Sequence, residues 1–162
     1  VGNGDLLFPH EVEAARARSG CAAVMSARGV LIKPWLFREI TAGYLDLDGD
    51  ARVAIYRRYV ALAIEHWGHD EHGLQRVRDF LRWHLGFWVR YARRHDDGTW
   101  PSMQQREAQP LLRSPLERLL ARTDDAAMAY VCDQLVAGQV LDPAAVPDQA
   151  SAMVEADVLV EG

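Results

Sequence analysis

Lysine is almost missing from this 162-residue chain: Lys33 is the only one, against seventeen arginines. Positive charge is therefore carried by guanidinium groups, which stay protonated and offer a bidentate fork to phosphate or carboxylate. An arginine- and alanine-rich composition also follows from GC-rich coding, so the bias alone assigns no ligand. Cysteine is scarce as well. Cys21 and Cys132 stand far apart and match no zinc or redox spacing, which excludes a cysteine metal site or a disulfide scaffold and fits a reducing compartment. No apolar run approaches the roughly 20 residues of a membrane span, so no spanning helix is expected. No internal repeat occurs.

What is present is an ordinary globular composition, 49% hydrophobic and 25% charged. The net charge of −5 hides a segregation: residues 1–50 carry −2, residues 51–122 carry +5, and residues 123–162 have no basic residue and carry −8. A polyanion would bind the middle segment, although the whole chain is acidic.

Two segments read as strand ends running into loops rich in backbone N–H donors: Val1-Gly-Asn-Gly-Asp5 and Val24-Met-Ser-Ala-Arg-Gly29. Between them Pro9 to Ser19 is a helix pattern, with proline in the first turn and Gly20 at the stop. Ala22 to Met25 suits a buried parallel strand. Pro34 opens another short helix carrying Trp35, Leu36, Phe37 and Ile40. Strand, helix and strand within some 25 residues make one unit of a (β/α)8 barrel, and the loops after its last two strands commonly hold a phosphate. Asn3-Gly4 also has a hairpin-turn reading, but a helix pattern follows it, not an alternating strand. A complete barrel needs about 250 residues, so the expectation is that Val1 is a cut within a longer protein.

Leu45-Asp-Leu-Asp-Gly-Asp50 is a polar break, and the period beyond it is helical. Val53, Tyr56, Val60, Ala63 and Trp67 form one apolar stripe, and Leu74, Val77, Leu81, Leu85, Trp88 and Tyr91 form the next. Gly68 stops the first of these helices, and Asp70 is positioned to cap the second. Asp96-Asp97-Gly98 is a turn. Ser114-Pro-Leu-Glu117 is a capping box that starts a third helix, to about Arg122, and a fourth runs from about Asp124 to Ala137. The expected fold is therefore α/β plus all-α: the C-terminal end of a TIM (β/α)8 barrel over residues 1–44, then a four-helix bundle over 45–142. The acidic, Ala- and Pro-containing tail, 143–162, is expected to be disordered.

The two loop segments, then Lys33-Pro-Trp-Leu-Phe-Arg-Glu-Ile40, Glu65-His-Trp-Gly68 and Arg78-Asp-Phe-Leu81, resemble the C-terminal part of the tRNA-dihydrouridine synthases. They are most similar to the eukaryotic branch that reduces a uridine of the tRNA variable loop. The resemblance covers about residues 1–140, its first 40 being the most specific. It implies an FMN enzyme that uses NADPH to reduce the C5=C6 bond of a uridine. Carried over by position, Asn3, Gly4, Asp5, Ala27 and Arg28 bind the FMN phosphate. Ala27 stands where many members have glycine, and its backbone N–H is unchanged. The family's general acid, a loop cysteine, falls upstream of this chain. Cys21 and Cys132 read as small core residues, so no catalytic residue is assigned.

The resemblance further implies that the helical region docks tRNA, which makes arginines of the basic segment its contacts. Arg78, Arg82, Arg90, Arg93 and Arg94 are the candidates, with a solvated helix face as the competing reading for each. His66, His69 and His72 suggest a metal at first sight, but Gly68 interrupts the helix between them, and a helix–loop–helix corner accounts for them with no metal. Trp67 and Trp88 fall on apolar stripes, whereas Trp83 lies off its stripe and is the tryptophan suited to the surface. The expected protein is monomeric and free of membrane, in the cytoplasm with the nucleus as alternative. The competing function is a non-catalytic helical RNA-binding module, for a chain expressed as it stands.

Overall fold

The computed structural model describes residues 1–103 and 110–146. Two three-residue strands, β1 (Gly2–Gly4) and β2 (Val24–Ser26), pair in parallel with Gly2 opposite Val24, Asn3 opposite Met25 and Gly4 opposite Ser26. Helix α1 (Pro9–Ser19) makes the crossover that parallel pairing demands. Its start is fixed by Glu11, whose carboxylate accepts from the Leu7 and Phe8 N–H groups at 2.6 and 2.8 Å. Its stop is Gly20, at φ +65°, the left-handed conformation glycine adopts without strain. The strand–helix–strand unit read from the sequence is thus present.

Two short helices follow, α2 (Arg28–Ile32) and α3 (Leu36–Ala42), the first of which the sequence pattern does not announce. The four long-period helices are α4 (Gly49–Trp67), α5 (Glu71–Trp88), α6 (Pro115–Ala121) and α7 (Asp125–Val136). All four begin on an acceptor side chain: Asp48, Asp70, Ser114 and Asp124 each take a backbone N–H of the first turn. Helix α5 ends three residues short of the expected Tyr91. Its last turn tightens, with Arg90 N–H donating to Phe87 O and Tyr91 N–H to Trp88 O.

Helix α5 packs against α4 and α7, α4 also against α6 and α7, and the four share one core. Tyr56 and Trp88 stack inside it with ring centroids 4.0 Å apart. Helix α6 is only seven residues long, too short to run the length of α4 or α5. A second cluster joins Leu7, Phe8, Ile32 and Trp35 to Tyr91 and Met103, so the N-terminal unit is anchored on the segment after α5. Of the tail, residues 147–162 lie outside the described residues; Val146 O accepts from Arg122 at 2.6 Å. Among the described residues no helix is long and apolar enough to cross a membrane.

Candidate functional site

Because β1 and β2 are parallel, the loops that leave them emerge at one edge of the sheet, where α/β folds collect ligands. Asn3, Gly4, Asp5, Ala27 and Arg28 line a shallow recess of about 380 Å³ at that edge. The structure therefore brings together all five residues assigned to the FMN phosphate by the resemblance. Arg28, 56% exposed, donates through Nη2 to Asp5 Oδ1 at 2.6 Å. Nothing lies within 4 Å of where a Gly4 Cβ would stand, so the backbone there is open to close approach.

What holds this edge together is hidden in the sequence. Gly29, directly after Arg28, sits against the turn after β1: a Cβ on it would lie 1.8 Å from Leu6 O and 2.6 Å from Ser26 Oγ. Ser26 Oγ donates to the same Leu6 carbonyl at 3.0 Å. Only glycine lets the two loops approach this closely, and that approach sets Arg28 beside Asp5. Behind them the single lysine is fully buried. Lys33 Nζ donates to Glu39 Oε2 at 2.5 Å and to Leu7 O at 3.2 Å, and lies 4.4 Å from the Phe8 ring centroid. Trp35 Nε1 donates to the other Glu39 oxygen at 3.0 Å. Burial pulls the Lys33 amine below its ordinary value, against the opposing pull of Glu39. The Lys-Pro-Trp-…-Glu motif is thus a brace for the loop end of β1, and its charge is not available to a ligand.

Arg93 needs correction as an RNA-facing candidate, because it is 4% exposed and doubly ion-paired. Its guanidinium forks onto Glu117 at 2.9 and 3.0 Å and also pairs with Asp46. Burial would raise the Glu117 pKa, but Arg93 and the Arg113 N–H outweigh it and hold the carboxyl below its usual range. Glu117 accordingly reaches back to the Arg113 N–H at 2.6 Å, one residue before the capping position the sequence suggests. Arg78 lies 3.5 Å from Asp133 and Arg82 3.2 Å from Asp125, both acids on α7. Arg90 donates to Met103 O, and Arg94 to Gly98 O while covering the Trp100 ring.

The cysteines stand away from the recess. Cys132 is buried in the helical core, and burial pushes its thiol up to about 11. Cys21 precedes β2, at the edge opposite Ala27. Trp88 is buried, Trp67 half-buried and Trp83 exposed. Among the described residues no three His, Cys, Asp or Glu side chains form a candidate metal group.

Comparison with known proteins follows the same segments. The dihydrouridine synthase (Dus) family matches residues 1–90. A protein of Lodderomyces elongisporus named tRNA-dihydrouridine(47) synthase [NAD(P)(+)] is 43% identical over 93 residues, 57% of this chain and 14% of its own length. Proteins of the same name from Debaryomyces hansenii and Candida albicans are 41% and 40% identical, each over 76% of this chain and 20% and 21% of their own. The chain thus spans about a fifth or less of the length of these relatives. No solved structure matches it significantly. With both site loops, the Gly29 contact and the Lys33–Glu39 brace inside the matched segment, the chain belongs to the dihydrouridine synthase family.

Proposed function

We propose that this chain is the C-terminal part of an FMN- and NADPH-dependent tRNA-dihydrouridine synthase acting on a variable-loop uridine; support comes from relatives named tRNA-dihydrouridine(47) synthase. In this reading β1 and β2 are the last two strands of a (β/α)8 barrel, and residues 45–142 form the helical region that docks tRNA. A parallel pair with Met25 half exposed suits strands whose partners lie elsewhere in a larger barrel. In the same reading the protein works as a monomer, in the cytoplasm or the nucleus.

The recess carries the proposal. Its donor set suits a phosphate: an exposed guanidinium that already holds one anionic oxygen, an unhindered glycine backbone and the Ala27 N–H. Asn3, Gly4, Asp5, Ala27 and Arg28 would hold the FMN phosphate, Arg28 by turning its fork from Asp5 to the ligand. When bound, the flavin supplies the hydride that reduces the uracil C5=C6 bond. Gly29 and the Lys33–Glu39 brace keep the two loops at the distance this requires. Neither cysteine here is offered as the proton donor, Cys132 being buried and Cys21 at the opposite edge.

The test is flavin affinity of the complete protein with Arg28→Ala, followed by flavin fluorescence. Loss of a charge-assisted pair to phosphate, about 1.5–3 kcal/mol, raises the FMN Kd roughly 10- to 150-fold. The thermal midpoint measured without flavin should not move, since Arg28 is exposed. An unchanged Kd would overturn the site. A wild-type protein that binds tRNA but no flavin would support the non-catalytic RNA-binding reading instead.

A further inference from the structure

Helix α5 carries arginines on two sides, and only one side is neutralised. Arg78 and Arg82 face α7 and its Asp133 and Asp125. Arg76 has no acidic partner among the described residues. At 3.6 residues per turn it shares an arc of about 80° with His72, Phe80, Trp83 and Phe87. The nearest carboxylate of α5, Asp79, lies about 20° outside that arc and accepts from Gln75 Nε2 at 2.9 Å. Phe80 is 48% and Trp83 52% exposed, large aromatic surfaces to leave in water.

These rings are held in place from beneath. Trp67 of α4 stacks on Phe80 at 4.8 Å between centroids, and Phe87 meets Trp83 edge-on at 4.9 Å. Rings fixed before binding lose little entropy when a ligand stacks on them. Beyond Phe80, a recess of about 350 Å³ is lined by Trp67, Asp70, His72, Gly73 and Arg76. Its one carboxylate, Asp70, is engaged with the Gly73 N–H as the helix cap. A protein covering this arc would have to bring a carboxylate of its own to Arg76, or bury that charge unpaired. A single-stranded nucleic acid brings a phosphate for the cation and π-faces for the rings.

We propose that this arc is where unpaired bases of the tRNA stack, on Phe80 and Trp83, with Arg76 contacting the adjacent phosphate. The proposal rests on the tRNA-docking reading above and selects the surface that performs it.

The experiment is binding of a tRNA transcript to the complete protein, by anisotropy over a range of salt. Phe80→Ala and Trp83→Ala are expected to weaken binding about 5- to 150-fold each with an unchanged salt slope. Trp83→Phe should retain most of the affinity. Arg76→Ala should reduce the log–log salt slope by about one, whereas Arg82→Ala, removing a cation already paired to Asp125, should bind as wild type. Wild-type affinity in Phe80→Ala, Trp83→Ala and Arg76→Ala would overturn the proposal. So would a lowered thermal midpoint in the two alanine variants with unchanged affinity, the mark of a face covered by protein. Wild-type protein that fails to bind tRNA would overturn the docking reading itself.

Discussion

Removing Lys33 tests whether the buried charge in the α2–α3 segment is structural. Lys33 and Glu39 are both fully buried, and the pair also fastens Leu7 O, Trp35 Nε1 and the Leu45 N–H. Lys33→Met leaves the Glu39 carboxylate without its cation, in a place water does not reach. Breaking a buried pair from one side costs about 3–5 kcal/mol, and Glu39→Leu should cost a similar amount by stranding the ammonium. The double variant removes both charges and leaves only neutral groups short of a partner, at roughly 1–3 kcal/mol each. The double variant should therefore cost less than the two singles together, since neither stranded charge is left in it. Urea unfolding followed by tryptophan fluorescence measures all three. The wild type should also gain stability as pH rises toward 10.5: the folded amine, lowered by burial, loses its proton first, so the unfolded chain binds more protons across that window. Lys33→Met, with no amine to titrate, should lose this alkaline gain. A Lys33→Met penalty below about 1 kcal/mol, with strictly additive singles, would refute the brace.

Two glycines of the site should respond in opposite ways. Gly29→Ala forces a Cβ onto Leu6 O and should cost at least about 2 kcal/mol in urea unfolding, because the clash is with backbone. Gly4→Ala meets nothing within 4 Å and should fold normally, yet raise the FMN Kd by crowding the recess; equal flavin affinity in Gly4→Ala would argue against a ligand at that backbone. Glu117, held below its ordinary 4.5, contributes stability that is complete above that value and is lost as pH falls through its lower folded value. Glu117→Gln should lower the thermal midpoint at pH 7, and the gap to wild type should narrow in acid; a gap independent of pH would assign the loss to packing and not to the Arg93 pair.

Local pattern made much of this chain readable in advance. Proline and Gly20 bound α1, the apolar stripes bound α4 and α5, and Asp70, Ser114 and Asp124 mark helix starts, because each effect acts within one or two turns of the chain. The five recess residues were assigned by the family resemblance, and they line one recess because two short loops leaving parallel strands at the same edge must meet. The arginines were not. Arg78, Arg82, Arg93 and Arg76 look alike in a basic segment, and their fates differ only because Asp133, Asp125 and Glu117 arrive from elements more than 20 residues away.

The sequence by itself determined the order of every element but α2, the loop pair and the family, all of which depend on neighbours in the chain. Tertiary structure alone decided which charges are spent inside and which face water. A guanidinium or ammonium takes its role from the nearest carboxylate in space and from its burial, and neither is encoded by its own neighbourhood in the sequence.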